Sequence, residues 1–184
     1  FEQDLLPRVI SGSSTGAMIA AGIGWRTDAE LADLFANPDS IRLDGLKGAG
    51  LKRFARTGAW LAPEQLAAVL DHNAGTWTFA EAYARSGRAV NISVSASRMR
   101  QKPRLLSYIT APDVVVSSAA LASSALPGLF PPAELMMRRG DRIEPAPDGE
   151  RWVDGSLDGD LPKLRLARLF NCNHFVVSQT NPHV

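Results

Sequence analysis

The chain has 184 residues, of which 45% are hydrophobic, and a formal net charge of +1. That length supports one domain with a sizeable core, and the composition excludes disordered, collagen-like and coiled-coil classes. A charge this near zero gives no general attraction to nucleic acid or anionic surfaces, and one cysteine, Cys172, excludes an internal disulfide framework while leaving the redox compartment open.

No internal repeat or low-complexity tract interrupts the chain. Leu5 to Ser11 is a short apolar, β-branched run ending at Gly12, which suits a buried strand. The residues AMIAAGI after Gly16 predict a helix buried on most sides. Thr27-Asp28-Ala29-Glu30 has capping-box spacing and opens a second helix, which Asn37-Pro38 ends. Ile41 to Ala59 is glycine-rich and basic and reads as irregular. Pro63 suits the first turn of a helix running to about Asn73, and Thr78-Phe79-Ala80-Glu81 caps another that Gly87 closes. Val90, Ile92 and Val94 alternate with polar residues as in a strand, and Leu105 to Ile109 forms a second. A helix is expected from Thr110-Ala111-Pro112-Asp113 through Ser124, stopped by Pro127. Short strands are expected at Glu134 to Met137 and Arg151 to Val153, with a charged Pro/Gly turn between them. Leu161 to Phe170 reads as a helix and Phe175 to Ser178 as a buried strand. Strands alternating with helices predict an α/β layered sheet in one domain.

Gly12-Ser13-Ser14-Thr15-Gly16 fits G-x-S-x-G and falls between a predicted strand and a predicted helix. A serine on that sharp turn stands clear of the sheet, and its small neighbours permit the turn. The N-terminus of the following helix then favours an oxyanion at the same spot. The plainer reading of such a segment is a Gly/Ser-rich turn. A serine hydroxyl needs a base. His72 sits near a helix end, where a capping or surface role suits it. His174 and His183 are candidates to complete a Ser-Asp-His triad with Asp154, beside ordinary structural roles. Asp154 itself, in Trp152-Val153-Asp154-Gly155-Ser156, ends a strand and is the alternative base, although Asp-Gly alone is usually a turn. Asp158 and Asp160 extend the acidic cluster, but EF-hand spacing and its closing glutamate are missing, so no metal is expected.

These residues resemble a known family. Ser11 to Ala17 is similar to the nucleophile elbow of patatin-like lipid acyl hydrolases, and Asp154-Gly155-Ser156 to their aspartate motif. Ser123-Ser124-Ala125-Leu126-Pro127-Gly128-Leu129-Phe130-Pro131-Pro132 resembles the family's small-residue and proline segment near the active site. The stretch WVDGSLDGDLPKLRLARLFNCNHFVVSQTNPHV closely resembles the triacylglycerol-lipase branch, which includes yeast and plant storage-lipid lipases and bacterial relatives. The resemblance runs from about Leu5 to Val184 and is weak between Ile41 and Ala89. It implies a three-layer α/β fold with a mainly parallel central sheet and a Ser14–Asp154 dyad that needs no histidine or cofactor. Ser14 would attack an ester carbonyl, Asp154 would carry its proton to the leaving alcohol, and water would release the fatty acid. A direct, dry Ser–Asp hydrogen bond is expected, with Thr15 N–H as an oxyanion donor. The family's glycine-rich oxyanion loop precedes the elbow, whereas Gly45, Gly48 and Gly50 follow it. Residues 1–184 are therefore expected to be a single catalytic domain lacking its N-terminal strand and oxyanion loop, or else a degenerate relative. A glycerolipid is the expected substrate. Lysolipid acyl transfer, a non-catalytic lipid-binding relative and a histidine-based esterase are the alternatives.

The longest apolar stretches fall far short of the roughly 20 residues that span a bilayer. The opening FEQDLLPR has neither the charged start nor the apolar run of a signal peptide. A soluble or peripheral membrane protein is the reading, with the compartment open. Trp60, Leu61, Trp77, Phe79, Leu129 and Phe130 are wall or flap candidates for an acyl slot, with ordinary core as the plainer reading of each. Arg98, Arg100, Lys102 and Arg104 form a basic run suited to phospholipid headgroups or to a solvated connection. Arg138 and Arg139 are expected on an exposed turn. No aromatic residues interleave with the basic run, so nucleic acid is not expected as a partner.

Overall fold

A computed structural model of the chain describes residues 6–41, 63–98, 102–157 and 161–178. Strand β1 (Val9–Gly12) leads through a sharp turn into α1 (Thr15–Gly24), followed by α2 (Asp28–Ala36), α3 (Pro63–Ala74) and α4 (Phe79–Ser86). Then come β2 (Ala89–Ala96), β3 (Arg104–Leu106), α5 (Val116–Ser123), β4 (Ala133–Glu134), β5 (Met136–Arg139), β6 (Arg142–Pro145), β7 (Arg151–Asp154) and α6 (Lys163–Phe170).

The main sheet runs β1-β2-β7-β4, with β3 also paired to β2, and β5-β6 forms a separate hairpin. Strand β1 is parallel to β2, with Gly12 opposite Ile92. Strands β3 and β7 run antiparallel to β2, and β4 antiparallel to β7. A parallel neighbour needs a long crossover, which α1 to α4 supply between β1 and β2. Strand β3 follows β2 after a short connection and so returns antiparallel. The α/β class stands as expected from the sequence. The sheet is mixed, and the parallel pairing among the described strands is β1 with β2.

One face of β2 carries Val90, Ile92 and Val94, which enter a single apolar core with Ala17, Ala20 and Ala21 of α1 and Ala119, Ala120 and Ala122 of α5. Small side chains let both helices approach the sheet closely, and α1 and α5 also pack on each other. The alternating polar residues of β2 are not solvated as the period-2 pattern suggests. Asn91 and Ser95 are almost fully buried, and the Asn91 amide donates to the Ile10 and Ala89 carbonyls at 3.2 and 2.9 Å. Strand β2 is covered on both faces, so the alternation marks two environments within the interior.

Both predicted capping boxes form. Glu30 N–H donates to the Thr27 hydroxyl at 3.4 Å while the Glu30 carboxylate accepts from Thr27 N–H at 2.8 Å, and Thr78 and Glu81 repeat the arrangement. Gly87 closes α4 in the left-handed conformation. Four boundaries differ from the sequence reading. Strand β3 stops at Leu106, because the Thr110 hydroxyl donates to the Leu105 carbonyl at 2.7 Å and accepts from Ser107 N–H at 3.0 Å, closing a turn. Helix α5 starts only at Val116, because Val114 and Val115 make isolated bridges to Met137 and Thr78. The charged segment before β7 contains β6, whose hairpin turns at Gly140 with φ 59°. Phe175 to Ser178 joins no ladder among the described residues and is exposed rather than a buried strand. Most of the stretch read as irregular, Ile41 to Ala59, lies outside the described residues.

Thr27→Ala should lower unfolding free energy by about 1 kcal/mol, seen as a lower urea midpoint with unchanged slope. Hydrogen bonds from Thr27 hold the Glu30 carboxyl below its ordinary range. The part of the stabilisation that comes from the Thr27 hydroxyl on the Glu30 carboxylate is complete above the ordinary carboxylate pKa and is lost as pH falls through the lowered one. The Glu30 N–H to Thr27 hydroxyl cap does not titrate, so the gap between the two proteins should narrow in acid without closing.

Candidate active site

The chain turns from β1 into α1 within two residues. Ser14, between them, has φ 52° and ψ −123°, a backbone conformation that L-residues rarely adopt. Such a residue costs on the order of 1–3 kcal/mol and persists only where its surroundings over-determine it. A β-carbon on Gly12 would lie 2.2 Å from the Gly16 carbonyl carbon and oxygen, so only glycine permits strand and helix to pass this closely. Gly16 is different: a β-carbon there would meet nothing within 4 Å, so the requirement for small neighbours holds on the strand side alone.

The serine's own peptide groups are gripped from α5. Ser14 N–H donates to Ser123 Oγ at 3.0 Å, and Ser123 Oγ donates onward to the Ser93 carbonyl at 2.7 Å. Ser124 Oγ donates to the Ser14 carbonyl at 3.3 Å and to Ala120 O at 2.7 Å. The Ser14 carbonyl also accepts from Ala17 N–H at 2.9 Å, which starts the helix. Thr15 N–H, at the first helical position, makes no hydrogen bond among the described residues. A free N–H at the positive end of a helix suits an oxyanion.

Asp154 ends β7 and is 2% exposed. Its register partner is Val94, two residues along β2 from the partner of Gly12. At about 3.3 Å per residue, elbow and carboxylate are separated by roughly 7 Å along the strand they share. Asp154 N–H donates to the Ala125 carbonyl at 3.2 Å, and Oδ1 accepts from Ser156 N–H at 2.9 Å and Ser156 Oγ at 2.8 Å. A β-carbon on Gly155 would lie 2.1 Å from the Ser93 carbonyl oxygen, so this glycine too is dictated by close packing. No hydrogen bond joins Ser14 Oγ to Asp154 in this structure.

The other candidates fall elsewhere. His72 is exposed on the last turn of α3, and His174 is exposed with Nδ1 3.1 Å from Asn173 Oδ1. Neither is hydrogen-bonded to Ser14 or Asp154, and His183, Asp158 and Asp160 lie outside the described residues. In the basic run, Arg98 and Lys102 are exposed and Arg100 is outside the described residues. Arg104 is exposed and already engaged: it pairs with Glu150 at 3.3 Å and lies 4.8 Å from the centre of the Trp152 ring. Arg138 and Arg139 are on β5, not a turn, and pair with Glu81 and Glu144. Phe79 and Phe130 are core, Trp77 stacks on Trp25, Leu129 is exposed, and Trp60 and Leu61 lie outside the described residues. No described helix is long and apolar enough to cross a membrane. A pocket of about 290 Å³ opens beside Gly155 and Ser93, bordered by Pro103, Leu161 and Leu164.

The serine clamp was not foreseen. The segment Ser123 to Pro132 resembles an active-site segment, but which of its residues grip Ser14 depends on how α5 packs over β2.

The structure thus sets a strained serine between strand and helix and a buried aspartate at the end of another strand, both strands paired to β2. A sequence model described as patatin-like phospholipase matches residues 1–162. Among relatives, triacylglycerol lipase ptl2 of Schizosaccharomyces pombe is 42% identical over 99% of this chain and 30% of its own length. Triacylglycerol lipase SDP1L of Arabidopsis thaliana is 39% identical and triacylglycerol lipase 4 of Saccharomyces cerevisiae 37%, each over 100% of this chain and 25% and 22% of their own lengths. The chain belongs to the patatin-like phospholipase family, and it spans under a third of these relatives.

Ser123→Ala would leave the Ser14 N–H and the Ser93 carbonyl without their buried partner. A loss of about 1–3 kcal/mol in chemical denaturation is expected, with the change in stability larger than that of Ser97→Ala at an exposed position.

Proposed function

We propose that this chain carries the nucleophile and base of a glycerolipid acyl hydrolase. The observation that carries the reading is Ser14: a non-glycine residue at positive φ, gripped by Ser123 and Ser124 at the N-terminus of α1. Strain retained at one serine, on a turn that lifts it from the sheet, is what a nucleophile requires and a plain turn does not.

Ser14 Oγ attacks the ester carbonyl while Asp154 takes its proton. The same carboxyl then protonates the leaving alcohol, giving an acyl-enzyme, and water activated by the carboxylate releases the fatty acid. A free carboxylate with a pKa of about 3.9 is a weak base at neutral pH, so the step needs a desolvated aspartate and strong oxyanion stabilisation. Burial of Asp154 supports the first requirement, and the Thr15 N–H, without a partner among the described residues, supports the second. Hydrogen bonds of this kind are often long before substrate binds and tighten in the reacting complex, which accommodates the missing Ser14–Asp154 contact. A second donor from a glycine-rich loop upstream of the elbow completes the proposal. The names of the relatives, triacylglycerol lipases and patatin-like phospholipase domain proteins, support a glycerolipid substrate. Arg98 and Lys102, exposed beside β2, suit contact with an anionic lipid surface.

In the full-length protein, Ser14→Ala and Asp154→Asn should each lower kcat on an acylglycerol ester by roughly 10⁴-fold without loss of folded structure. A fluorophosphonate probe should label the parent protein and leave Ser14→Ala unlabelled. Normal turnover in either variant removes the dyad. Transfer of the acyl group to added lysolipid instead of water, read from the products, would make the protein an acyltransferase on the same two residues.

A further inference from the structure

We propose that Ser156 is the positioning residue of the Asp154 carboxylate, its hydroxyl holding one carboxylate oxygen so that the other is left to act as base. The inference rests on the dyad reading above and concerns a residue that neither attacks nor accepts a proton.

Two donors from Ser156 converge on the same atom: N–H at 2.9 Å and Oγ at 2.8 Å, both to Asp154 Oδ1. No hydrogen bond among the described residues falls on Oδ2. The N–H contact is an Asx-type turn, which any residue at this position except proline supplies. The hydroxyl contact requires serine or threonine. Its geometry is imposed from outside the motif, because Gly155 is pressed against the Ser93 carbonyl and the backbone turns directly into a short helical segment, Gly155–Leu157. A carboxylate held on one oxygen by two donors cannot rotate freely about its χ2 bond, and it presents a defined second oxygen.

Among the described residues, Arg104, Lys163 and Arg165 are the charged groups around the pocket beside Gly155, and none is hydrogen-bonded to the Asp154 carboxylate. Strand β2 and helix α5, which pack against β7, carry no ionisable residue within Ala89–Ala96 or Val116–Ser123. On β7 itself Arg151 pairs with Glu134 of β4, and Arg104 of β3 pairs with Glu150 and covers the Trp152 ring. Ser156 supplies both hydrogen bonds to this carboxylate that are recorded from described residues. Donors to the charged form lower a carboxyl pKa, so removing one raises it.

The experiment is steady-state kinetics of the full-length protein and its Ser156→Ala and Ser156→Thr variants across pH, with a soluble short-chain ester and with Ser14→Ala as the inactive reference. Ser156→Ala should lower kcat by roughly 10- to 100-fold with KM little changed, the scale of one hydrogen bond to a charged group. The acidic limb of its kcat/KM profile should move to higher pH. Ser156→Thr should restore most of kcat and return the limb towards the parent. A merely structural serine would change melting temperature without moving that limb. The proposal is overturned if Ser156→Ala keeps parental kcat and an unmoved acidic limb while Ser14→Ala is inactive, or if threonine rescues nothing. Activity surviving in Ser14→Ala would overturn the dyad itself, a different result from failure at Ser156 alone.

Discussion

Much of this molecule is organised around one peptide carbonyl, that of Ser93 in the middle of β2. It accepts the Ser123 hydroxyl, whose other lone pairs receive the N–H of Ser14, and it lies so close to residue 155 that only glycine fits there. The elbow, the small-residue end of α5 and the aspartate motif are far apart in sequence, yet all three are placed against the same half-turn of strand. A displacement of β2 by a fraction of an ångström would be felt at Ser14 and Asp154 together, because close-packed interiors transmit such shifts instead of absorbing them.

The alanine-rich helices follow from this requirement. Helices α1 and α5 bring the backbone of Ser14 and the hydroxyls of Ser123 and Ser124 within hydrogen-bonding distance, which larger side chains on their inner faces would prevent. The apolar face of β2 supplies the burial that holds them there. The strain at Ser14 is thus offset by hydrogen bonds at both ends of its own residue, and the charge of Asp154 by two donors from a single neighbour. Helix direction adds to this: the positive end of α1 lies at the serine, with the Thr15 N–H unengaged among the described residues.

Features that depend on a few consecutive residues were readable from the chain. The capping boxes at Thr27 and Thr78, the left-handed Gly87 and the G-x-S-x-G elbow each describe a local conformation with its own chemistry, and each was found where its residues stand. Features that depend on partners were not. Thr110 looks like a helix start but spends its hydroxyl on the Leu105 carbonyl, so α5 begins six residues later. The polar residues that alternate along β2 are buried like the apolar ones, because both faces of the strand are covered. Arg104 sits in a basic run but is held by Glu150 and Trp152, and Phe175 to Ser178 is strongly strand-like yet has no ladder among the described residues.

By itself the sequence determined the kinds of element, the nucleophile candidate, the carboxylate candidate and, through resemblance, the family. Backbone sterics and capping act over four or five residues and leave their mark in consecutive letters. Tertiary structure alone decided that Ser123 and Ser124 grip Ser14, that the sheet is mixed, that Gly12 and Gly155 are required by contact while Gly16 is not, and that both donors of Ser156 fall on one oxygen of Asp154. Those outcomes depend on distances between residues as many as 110 positions apart, set by how helices settle on a sheet. No local rule encodes that distance, because it is a sum of packing contacts over the whole core.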